Sequence, residues 1–466
     1  MTRSTKTSRR PVDPDLPAER LRSIGVETRS TAPRRALGTL VRGPRAALEI
    51  LAEQNTGRLA DLVPLRWARM LQDPFSFYRG SAAVMAADLA ASPSSGIEVV
   101  SCGDAHLSNF GLFAAPDRQL LFDLNDFDEG AAAPWDWDLK RLVTSAVVGG
   151  QHAGYAPDVV ERIARDTTRQ YLVTLRYVLG MDALQRLYLR GHPERALKQF
   201  SPELRAVMER AMRSAQRRTS ERVFKRMMTT TDEGLRLVEN PPILTHLSGI
   251  TSRELGDAYQ AYARAVAPEI QLALRSFRYV DSARRVVGVG SVGTRCYLWV
   301  MTGPVGEPLV LQIKEATPSV LEQYGEVVQP TAFRRVAQVL GDGGRVVAAQ
   351  RILQAASDPF LGTFRADGRD YYVRQFQDMK GSVDVEGMGE HAFSEYVQVC
   401  ARSLARAHAQ SRNAFVIDGY AGGGARLVEA VTQFAHAYAD VVQEDFRALR
   451  AAADRGELDV APDPLR

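Results

Sequence analysis

The sequence sorts helix-forming and strand-forming segments into separate blocks, and this restricts the fold more than any other feature. Residues 156–275 carry apolar residues almost throughout at the three- and four-residue spacing of helices. From about residue 277 the pattern changes to short β-rich runs joined by Gly and Pro, which continue to Ala316. Alternating βαβ units would mix the two patterns, so the sequence predicts an α+β fold.

Positive charge is concentrated at the start of the chain. The net charge is +4, yet residues 1–45 carry eleven Lys and Arg against four Asp and Glu, which leaves −3 for the remainder. A body of that charge does not attract polyanions, so we do not expect a nucleic acid as partner. Residues 1–44 mix Arg, Ser, Thr and Pro without the apolar core of a signal peptide, so we expect a basic disordered tail there.

The distribution of apolar residues and cysteines predicts the environment of the protein. No segment approaches the roughly 20 uninterrupted apolar residues that a membrane span needs, so we expect no membrane association. Cys102, Cys296 and Cys400 are far apart in the sequence and match neither a disulfide framework nor a Cys/His zinc site. These observations favour the reducing cytoplasm.

Two polar stretches stand beside short apolar runs, and we expect those runs, "IEVVSC" and "RQLLFDL", to form a strand pair. The stretches are "GDAHLSNF" and "LLFDLNDFDEG", and they supply Asp104, His106, Asn109, Asp123, Asn125, Asp126, Asp128 and Glu129. Mg²⁺ prefers oxygen ligands and keeps substrate phosphates and waters in its shell, which suits Asn109 and Asp126. The alternative is that these residues only form turns, and Asp128 and Glu129 are expected to be solvated loop acids.

A glycine-rich stretch follows much later, in "VVGVGSVGTRCYLW". Gly288, Gly290 and Gly293 lie between two β-rich runs, so the stretch predicts a strand–loop–strand flap over phosphates rather than a dinucleotide fold. About twenty residues on, Lys314 lies in the strand-like run "PLVLQIKEA". It is expected to reach the phosphates of a nucleotide, unless it merely lies on the solvent face of its strand.

The polar stretches resemble a known active site. "GDAHLSN", "NDFDEG" and then "PWDWDLKRL" resemble the catalytic loop, the metal-binding aspartate and the following helix of the aminoglycoside phosphotransferase and choline kinase branch of the protein-kinase-like fold. The resemblance implies Asp104 as the catalytic base and His106 as the second histidine of the catalytic loop. It further implies Asn109 and Asp126 as Mg²⁺ ligands and Asp138 as the structural support of the loop.

The nucleotide side of that fold is matched further along the chain. "YYVRQFQDMKGS" resembles the strand and hinge that hold adenine, and so implies as nucleotide-binding residues Arg374, Gln375, Phe376 and Gln377. The acidic partner of Lys314 stays open among Glu315, Glu322 and Glu326. Residues 404–409, "LARAHA", resemble the helix that normally precedes the catalytic loop, and His408 is expected to pack within that helix.

The order of these segments implies a circular permutation. The catalytic loop comes before the glycine-rich sheet, so the chain corresponds to a two-lobed kinase-like fold opened between the "LARAHA" helix and the catalytic loop. The whole arrangement is similar to the DUF2252 family of bacterial proteins. We expect four segments: a tail at 1–44, a helical catalytic lobe at 45–275, a β-rich nucleotide-binding lobe with hinge at 276–378, and C-terminal helices at 379–466.

The resemblance implies an ATP- and Mg²⁺-dependent phosphotransferase that acts on a hydroxyl of an unidentified acceptor, either a small molecule or a protein. Cys102 stands where the leading histidine of the family motif would be, which keeps open a pseudokinase or ATP-binding regulator. Transfer of a nucleotide to a protein would use the same residues. A metal-dependent hydrolase built on Asp104, His106, Asp123 and Asp126 is a further alternative, but it leaves Lys314 without a role.

Overall fold

The structure, a computed structural model, describes residues 15–232, 234–247, 252–377 and 379–464. The first fourteen residues of the expected tail and residue 378, at the end of the expected hinge segment, therefore lie outside the described residues. Helices and strands both occur, and every strand pair among the described residues is antiparallel. The expectation of an α+β chain is confirmed at this level.

The first nine α-helices of the described chain are α1 (Ala18–Thr28), α2 (Ala47–Asn55), α3 (Val63–Met70), α4 (Pro74–Gly80), α5 (Ala82–Ala91), α6 (Trp135–His152), α7 (Pro157–Leu179), α8 (Ala183–Tyr188) and α9 (Pro193–Ala196). They are followed by α10 (Pro202–Gln216), α11 (Ser220–Met227), α12 (Ser252–Ala265), α13 (Pro268–Leu274), α14 (Val320–Gln323), α15 (Thr331–Leu353), α16 (Glu390–His408), α17 (Ala414–Ala421) and α18 (Ala425–Asp454). Helix α15 is interrupted at Gly341, whose backbone is not helical. None of the described helices has the length and apolar character needed to cross a bilayer.

The strands of the described chain are β1 (Glu98–Ser101), β2 (Phe110–Ala114), β3 (Leu120–Leu124), β4 (Ala131–Pro134), β5 (Met228–Thr231), β6 (Gly234–Leu237), β7 (Leu244–His246), β8 (Arg278–Arg285), β9 (Cys296–Thr302), β10 (Pro308–Ala316), β11 (Gly362–Ala366), β12 (Arg369–Gln375) and β13 (Gly381–Ser382). Six of them form one sheet in the order β11-β12-β10-β9-β8-β7. A second sheet has the order β13-β2-β3, and β1-β4 and β5-β6 are separate pairs.

The strand pairing around the first polar stretch differs from the expected one. Strand β1 does not pair with β3; Ser101 pairs instead with Ala131 of β4, and β3 pairs with β2. The first polar stretch connects β1 to β2 and the second runs from β3 to β4. The pairs β1-β4 and β2-β3 therefore bring the two stretches together. The expectation that residues 156–275 are helical is also wrong in part, because β5, β6 and β7 lie there and β7 joins the six-stranded sheet.

The six-stranded sheet is buried on both faces, and its side chains alternate between them. On one face Trp299, Leu311 and Ile313 pack with helix α12. On the other face Leu298 and Val310 pack with helix α11. The alternation along β10 decides where Lys314 lies, since it shares the second face with Val310 and not the first with Ile313.

The helices form a larger core of their own. Helix α7 packs on α16, and α18 packs on α6 and α7. Trp135, Leu139, Leu172 and Phe434 are among the buried residues of this core. The C-terminal helices α16 and α18 thus pack on the helices that follow the polar stretches.

Residues 18–44 differ from the expected disordered tail. Helix α1 packs along α17, and Arg22 forms an ion pair with Asp418 at 2.8 Å. Arg29 donates to the carbonyl of Tyr420 at 3.1 Å, and Arg34 donates to that of Ala421 at 2.8 Å. These carbonyls end a helix, where cations are favourable. Part of the positive charge at the start of the chain therefore stabilises α17.

Candidate functional site

The first polar stretch begins as a tight turn at the end of β1, and Asp138 of helix α6 fixes that turn. The two carboxylate oxygens of Asp138 accept from the backbone N–H of Cys102 at 2.9 Å and of Gly103 at 3.0 Å. Gly103 has φ 81°, and a Cβ there would lie 2.3 Å from the carbonyl oxygen of Glu129, so only glycine fits the turn. The sequence predicted this supporting position of Asp138.

Asp138 is itself held from two other helices. His408 Nε2 lies 3.1 Å from Asp138 Oδ2, and His408 Nδ1 lies 2.7 Å from the hydroxyl of Tyr171. All three side chains are buried. His408 therefore packs within its helix, as expected, and also links the loop to α7 and α16.

Asp104 follows this turn and is paired with Arg141 of helix α6. Arg141 donates to Asp104 Oδ1 at 2.8 Å and also to the carbonyl of Tyr78 at 2.7 Å. Burial raises the pKa of Asp104 above its ordinary value, although Arg141 opposes this. The other carboxylate oxygen lies 3.6 Å from Nε2 of His106.

His106 is buried and uncharged. Burial, together with the nearby Arg79 and Arg141, holds the pKa of His106 well below its ordinary value. Its Nδ1 accepts from the backbone N–H of Ser108 at 3.2 Å, which assigns the ring proton to Nε2, on the side of Asp104. His106 can therefore orient the carboxylate of Asp104 but does not bring a positive charge.

Asn109 follows on a short 3₁₀ turn. Its amide nitrogen donates to the carbonyl of Asp104 at 2.7 Å, which leaves the amide oxygen as the atom that can serve a metal ion. The backbone N–H of Asn125 donates to the carbonyl of Asn109 at 2.9 Å. This bond joins the two polar stretches and places Asn109 beside the segment that carries Asp126.

Asp126 meets Lys314 across the cleft. The Lys314 ammonium lies 3.8 Å from Asp126 Oδ1, although the two residues belong to distant segments of the chain. Burial opposes ionisation of Asp126, but Lys314, Arg374 and Lys380 outweigh it and hold its pKa well below the usual range. Asp126 is therefore ionised at neutral pH, as a metal ligand must be.

The direct partner of Lys314 is Asp128, not one of the expected glutamates. Lys314 Nζ donates to Asp128 Oδ2, and the hydroxyl of Tyr372 donates to Asp128 Oδ1 at 2.6 Å. Glu315 alternates to the opposite face of β10 and pairs there with Arg295 at 3.3 Å and with Arg369. Burial disfavours the ammonium, but Asp126 and Asp128 outweigh it and raise the pKa of Lys314 well above its ordinary value.

The prediction that Asp128 and Glu129 are solvated loop acids is therefore wrong for both. Glu129 accepts from the backbone N–H of Val320 at 2.7 Å, and its own carbonyl accepts from the Ser319 hydroxyl at 2.8 Å. Burial raises the pKa of Glu129 to about 7. Glu129 thus fixes the start of helix α14 to the loop.

Asp123 lies apart from the other carboxylates. Its side chain is buried in β3 and accepts from Arg406 at 2.9 Å and from the backbone N–H of Ala355 at 2.8 Å. Burial raises the pKa of Asp123, although Arg406 opposes this. Asp123 holds α15 and α16 to the β layer, which argues against the hydrolase centre that would need it beside Asp104.

The glycine-rich stretch forms the expected strand–loop–strand element between β8 and β9. It is fastened to the segment before α3 and to α3 itself, since Leu59 donates to the carbonyl of Gly293 at 2.8 Å and Arg69 donates to that of Gly288 at 2.5 Å. Gly290, at the middle of the loop, touches the end of α4. The loop therefore spans the cleft from the sheet to the N-terminal helices.

The segment expected to be a hinge borders the cleft, but two of its backbone donors are already used. The N–H of Gln375 donates to Asp358 Oδ2 at 2.5 Å, and that of Phe376 donates to the carbonyl of Val310 at 2.9 Å. Gln377, two residues after the end of β12, has φ 49°. Adenine recognition by those two N–H groups would need them to leave their present acceptors.

Arg374 does face the cleft. It donates to Gln312 Oε1 at 3.0 Å, which lies directly across from it on β10. Arg374 and Lys380 both donate to the carbonyl of Asn125, at 3.4 Å and 3.2 Å. Burial and the neighbouring Arg374 lower the pKa of Lys380 to about 7.

Two cavities lie side by side in the cleft. The hinge cavity, of about 460 Å³, is lined by Gly288, Lys314, Arg374, Gln375, Phe376, Gln377 and Lys380, among others. The loop cavity, of about 270 Å³, is lined by Arg58, Arg79, Asp104, Asn109, Asp128, Glu129 and Gly290, among others. Asp126 and Ser291 line both. The cavities therefore meet where the glycine-rich loop passes over Asp126.

The oxygen atoms in this cleft fit a magnesium ion only if a ligand completes the site. No group of three His, Cys, Asp or Glu side chains among the described residues is arranged to hold a metal by itself. Asn109 and Asp126 supply one amide oxygen and one ionised carboxylate at the wall of the loop cavity. Mg²⁺ is often bound in this way, by one or two carboxylates together with substrate phosphates.

Several residues of the site were not predicted from the sequence. Arg141, which pairs with Asp104, lies three positions after Asp138 on the same helix, so helical spacing was the available signal. Lys380 follows the expected hinge in "DMKGS". Tyr372 lies two positions before Arg374 on β12, so strand alternation places both side chains on the same face and could have identified Tyr372.

Comparison with known proteins gives a family and nothing beyond it. A family model described as an uncharacterized protein conserved in bacteria, DUF2252, matches residues 58–452. Comparisons with curated proteins and with solved structures gave no match. The matched segment includes both polar stretches, the glycine-rich loop and Lys314. Because the match covers well over half of the chain, the protein belongs to the DUF2252 family of bacterial proteins.

Proposed function

We propose that this protein is an ATP- and Mg²⁺-dependent phosphotransferase with a circularly permuted kinase-like arrangement, acting on a hydroxyl group of an acceptor. The observation that carries the proposal is the meeting of two distant segments in one cleft. Lys314 of the sheet lies 3.8 Å from Asp126, and Asp126 lines the same cavity as Asp104 and Asn109. These are the groups that phosphoryl transfer requires.

The hinge cavity suits the nucleotide. Its volume of about 460 Å³ is within the usual range for small-molecule sites. Lys314 and Arg374 bring two cationic side chains to one end of it, beside Asp126, and Lys380, with a pKa of about 7, adds a partly protonated third. A triphosphate placed at that end would be neutralised by these cations, and the base would occupy the part near Asp358 and Phe360.

The loop cavity suits the acceptor. Asp104 is fixed there by Arg141 and His106, so it can orient an acceptor hydroxyl and take its proton. The hydroxyl oxygen forms the new bond to the γ-phosphorus, the bond to the β–γ bridging oxygen breaks, and ADP leaves with that bond's electron pair. Mg²⁺ held by Asn109 and Asp126 would neutralise charge on the phosphates.

Nucleotide binding is tested first by thermal unfolding of the full chain with ATP, with and without Mg²⁺. A ligand that binds only the folded state raises its stability, by about 2.7 kcal/mol at a hundredfold excess over Kd. We expect a rise in melting temperature with ATP that increases when Mg²⁺ is added. An unchanged melting temperature under both conditions would contradict the proposal.

The reaction is tested with ATP labelled at the γ- or the α-phosphate, incubated with hydroxylated metabolites, antibiotics and proteins. Transfer of the γ-label alone is expected. Transfer of the α-label to a protein would instead establish nucleotidyl transfer, and binding without transfer or hydrolysis would establish an ATP-binding regulator. The Asp158→Asn variant, changed in an exposed helical turn, should transfer the label as wild type does.

A further inference from the structure

Arg79, at the end of helix α4, is a cation for which the structure provides no partner. Its Nε is buried without a hydrogen-bond partner among the described residues, and within those residues no ion pair engages its guanidinium. Asp104 and Asp73 act on it only through space. Burying a guanidinium without hydrogen bonds is unfavourable, so an anionic ligand would stabilise this arrangement.

The other arginines around it each have at least one hydrogen-bond acceptor; Arg58, which lines the same cavity, donates to the carbonyl of Val292 although its Nε has no partner among the described residues. Arg69 pairs with Asp463 at 3.1 Å and holds the carbonyl of Gly288. Arg141 pairs with Asp104 at 2.8 Å. Arg66 is buried and donates to the side chain of Gln54 at 3.1 Å. Arg79 differs from these neighbours in having no hydrogen-bond acceptor among the described residues, and it lines the loop cavity together with Asp104.

The glycine-rich loop contacts the backbone of Arg79. A Cβ at Gly290 would lie 3.2 Å from the carbonyl oxygen of Arg79, so the middle of the loop rests on the backbone of this residue. The next residue of the loop, Ser291, lines both cavities. Arg79 is thus at the boundary that a γ-phosphoryl group would cross on its way from the nucleotide to an acceptor beside Asp104.

We propose that Arg79 is a catalytic residue that donates hydrogen bonds to the γ-phosphoryl group while it is transferred. The inference rests on the proposed function and adds to it the group that stabilises the transition state. As the acceptor oxygen binds to phosphorus and the bond to the bridging oxygen breaks, negative charge spreads over the equatorial and bridging oxygens. The fork of a guanidinium matches two such oxygens at once, and an arginine in this role typically contributes about 10³–10⁵-fold in rate.

The experiment compares binding of ADP with binding of ADP plus aluminium fluoride, both with Mg²⁺, by isothermal titration calorimetry. Aluminium fluoride completes a mimic of the transferring phosphoryl group, and such mimics bind at least about 10²-fold more tightly than ground-state ligands. Wild type is expected to show this tightening. In Arg79→Met, ADP should bind as in wild type, whereas the tightening should fall at least about tenfold.

Controls separate a role in the transition state from a structural one. Arg79→Lys keeps the charge but not the fork, so it should retain part of the tightening. Arg162→Met, at an exposed position of α7, should behave as wild type. The melting temperature of Arg79→Met should be no lower than that of wild type, because the side chain has no hydrogen-bond partner among the described residues to lose.

Three outcomes would overturn the inference. If Arg79→Met kept the full tightening by aluminium fluoride, Arg79 would not contact the phosphoryl group. If Arg79→Met lowered the affinity for ADP alone and the affinity for the fluoride mixture by the same factor, the residue would serve only ground-state binding. If wild type bound no ADP, the proposed function would fail together with this inference, which distinguishes that failure from the other two.

Discussion

The two cavities that meet at Asp126 differ in charge, although they lie in one cleft. The hinge cavity gathers three basic side chains on one side of Asp126: Lys314, Arg374 and Lys380, of which the last is only partly protonated at neutral pH. The loop cavity presents carboxylates, among them Asp104, on the other side. A polyphosphate would be attracted to the first region, whereas the second is suited to a metal ion and to proton transfer.

The difference shows how the position of one carboxylate decides its chemistry. Asp126 and Asp123 are three residues apart, yet the pKa of Asp126 is lowered by cations of the cleft and that of Asp123 is raised by burial. Only Asp126 lines the cavities. If the cavities have separate roles, changes in one should affect nucleotide binding and changes in the other should affect transfer.

The largest expected effect is that of Asp104→Asn, which should impair transfer without impairing nucleotide binding. In Asp104→Asn the amide still accepts from Arg141 but cannot take a proton, so release of phosphate from ATP should fall about 10²–10⁴-fold. Binding of ATP with Mg²⁺ should stay as in wild type, because Asp104 lies outside the hinge cavity. Both quantities are measured on the same preparation, by phosphate release and by calorimetry.

Asp158→Asn, an exposed change of the same kind, is the control and should leave both quantities unaltered. Wild-type turnover in Asp104→Asn would show that the loop cavity does not supply the base. A parallel loss of ATP binding would show that the two cavities act as one site.

The residues tested here could be predicted from the sequence because they lie in short local motifs. Asp104, Asn109 and Asp126 fall within 23 consecutive positions, and a short stretch of chain with a fixed turn keeps such residues together. Asp138 was implied as the support of the loop by the resemblance of "PWDWDLKRL" to the helix that follows the metal-binding aspartate in the kinase-like branch. The family and the mixture of helices with antiparallel strands were also accessible.

What the sequence could not predict depends on contacts between distant segments. Asp128 pairs with Lys314, 186 positions away, and nothing local distinguishes it from a solvated loop acid. The pairing of β1 with β4 rather than β3 was missed because several short apolar runs compete for the same partner. The contacts of Arg29 and Arg34 with α17 could not be predicted, because their acceptors are backbone carbonyls, which have no sequence signature.

The second prediction tests the ion pair at the boundary of the cavities. Lys314→Met removes a buried cation and leaves Asp128 without its ammonium partner and Asp126 with only Arg374 and Lys380, so the free energy of unfolding should fall by about 3–5 kcal/mol. Adding Asp128→Asn should restore part of that loss, because one of the unpaired charges is then neutral. Urea unfolding of the single and double variants measures both effects.

Lys198→Met, at an exposed position, is the matched control and should change stability by less than about 0.5 kcal/mol. If Lys314→Met were as stable as this control, the ammonium would not be held between the two carboxylates. The boundary between the cavities would then need another explanation.

The third prediction concerns the support of the loop cavity alone. Each carboxylate oxygen of Asp138 accepts a different backbone N–H, so in Asp138→Asn the amide nitrogen must face one of these donors. We expect a loss of about 1–3 kcal/mol in the free energy of unfolding. Transfer should fall in the folded variant while nucleotide binding is retained, since the turn at Cys102 and Gly103 carries Asp104.

The control is Asp440→Asn on the exposed side of α18, which should leave stability and transfer as in wild type. Equal stability of the two variants would mean that Asp138 does not fix the turn. Equal loss of nucleotide binding and transfer in Asp138→Asn would mean that the turn supports both cavities.

The smallest expected effect tests the passage between the cavities. In Gly290→Ala the new methyl group would lie 3.2 Å from the carbonyl oxygen of Arg79, so the loop must move by a few tenths of an ångström. A displacement of 1 Å can cost about 10²-fold in rate, so we expect a loss in phosphate release of less than about tenfold. ADP affinity should stay unchanged, because Gly290 lines the loop cavity and not the hinge cavity. Gly256→Ala, at an open helical position, is the control. If Gly290→Ala lost more ADP affinity than phosphate release, the loop would lie over the nucleotide rather than over the transferring group.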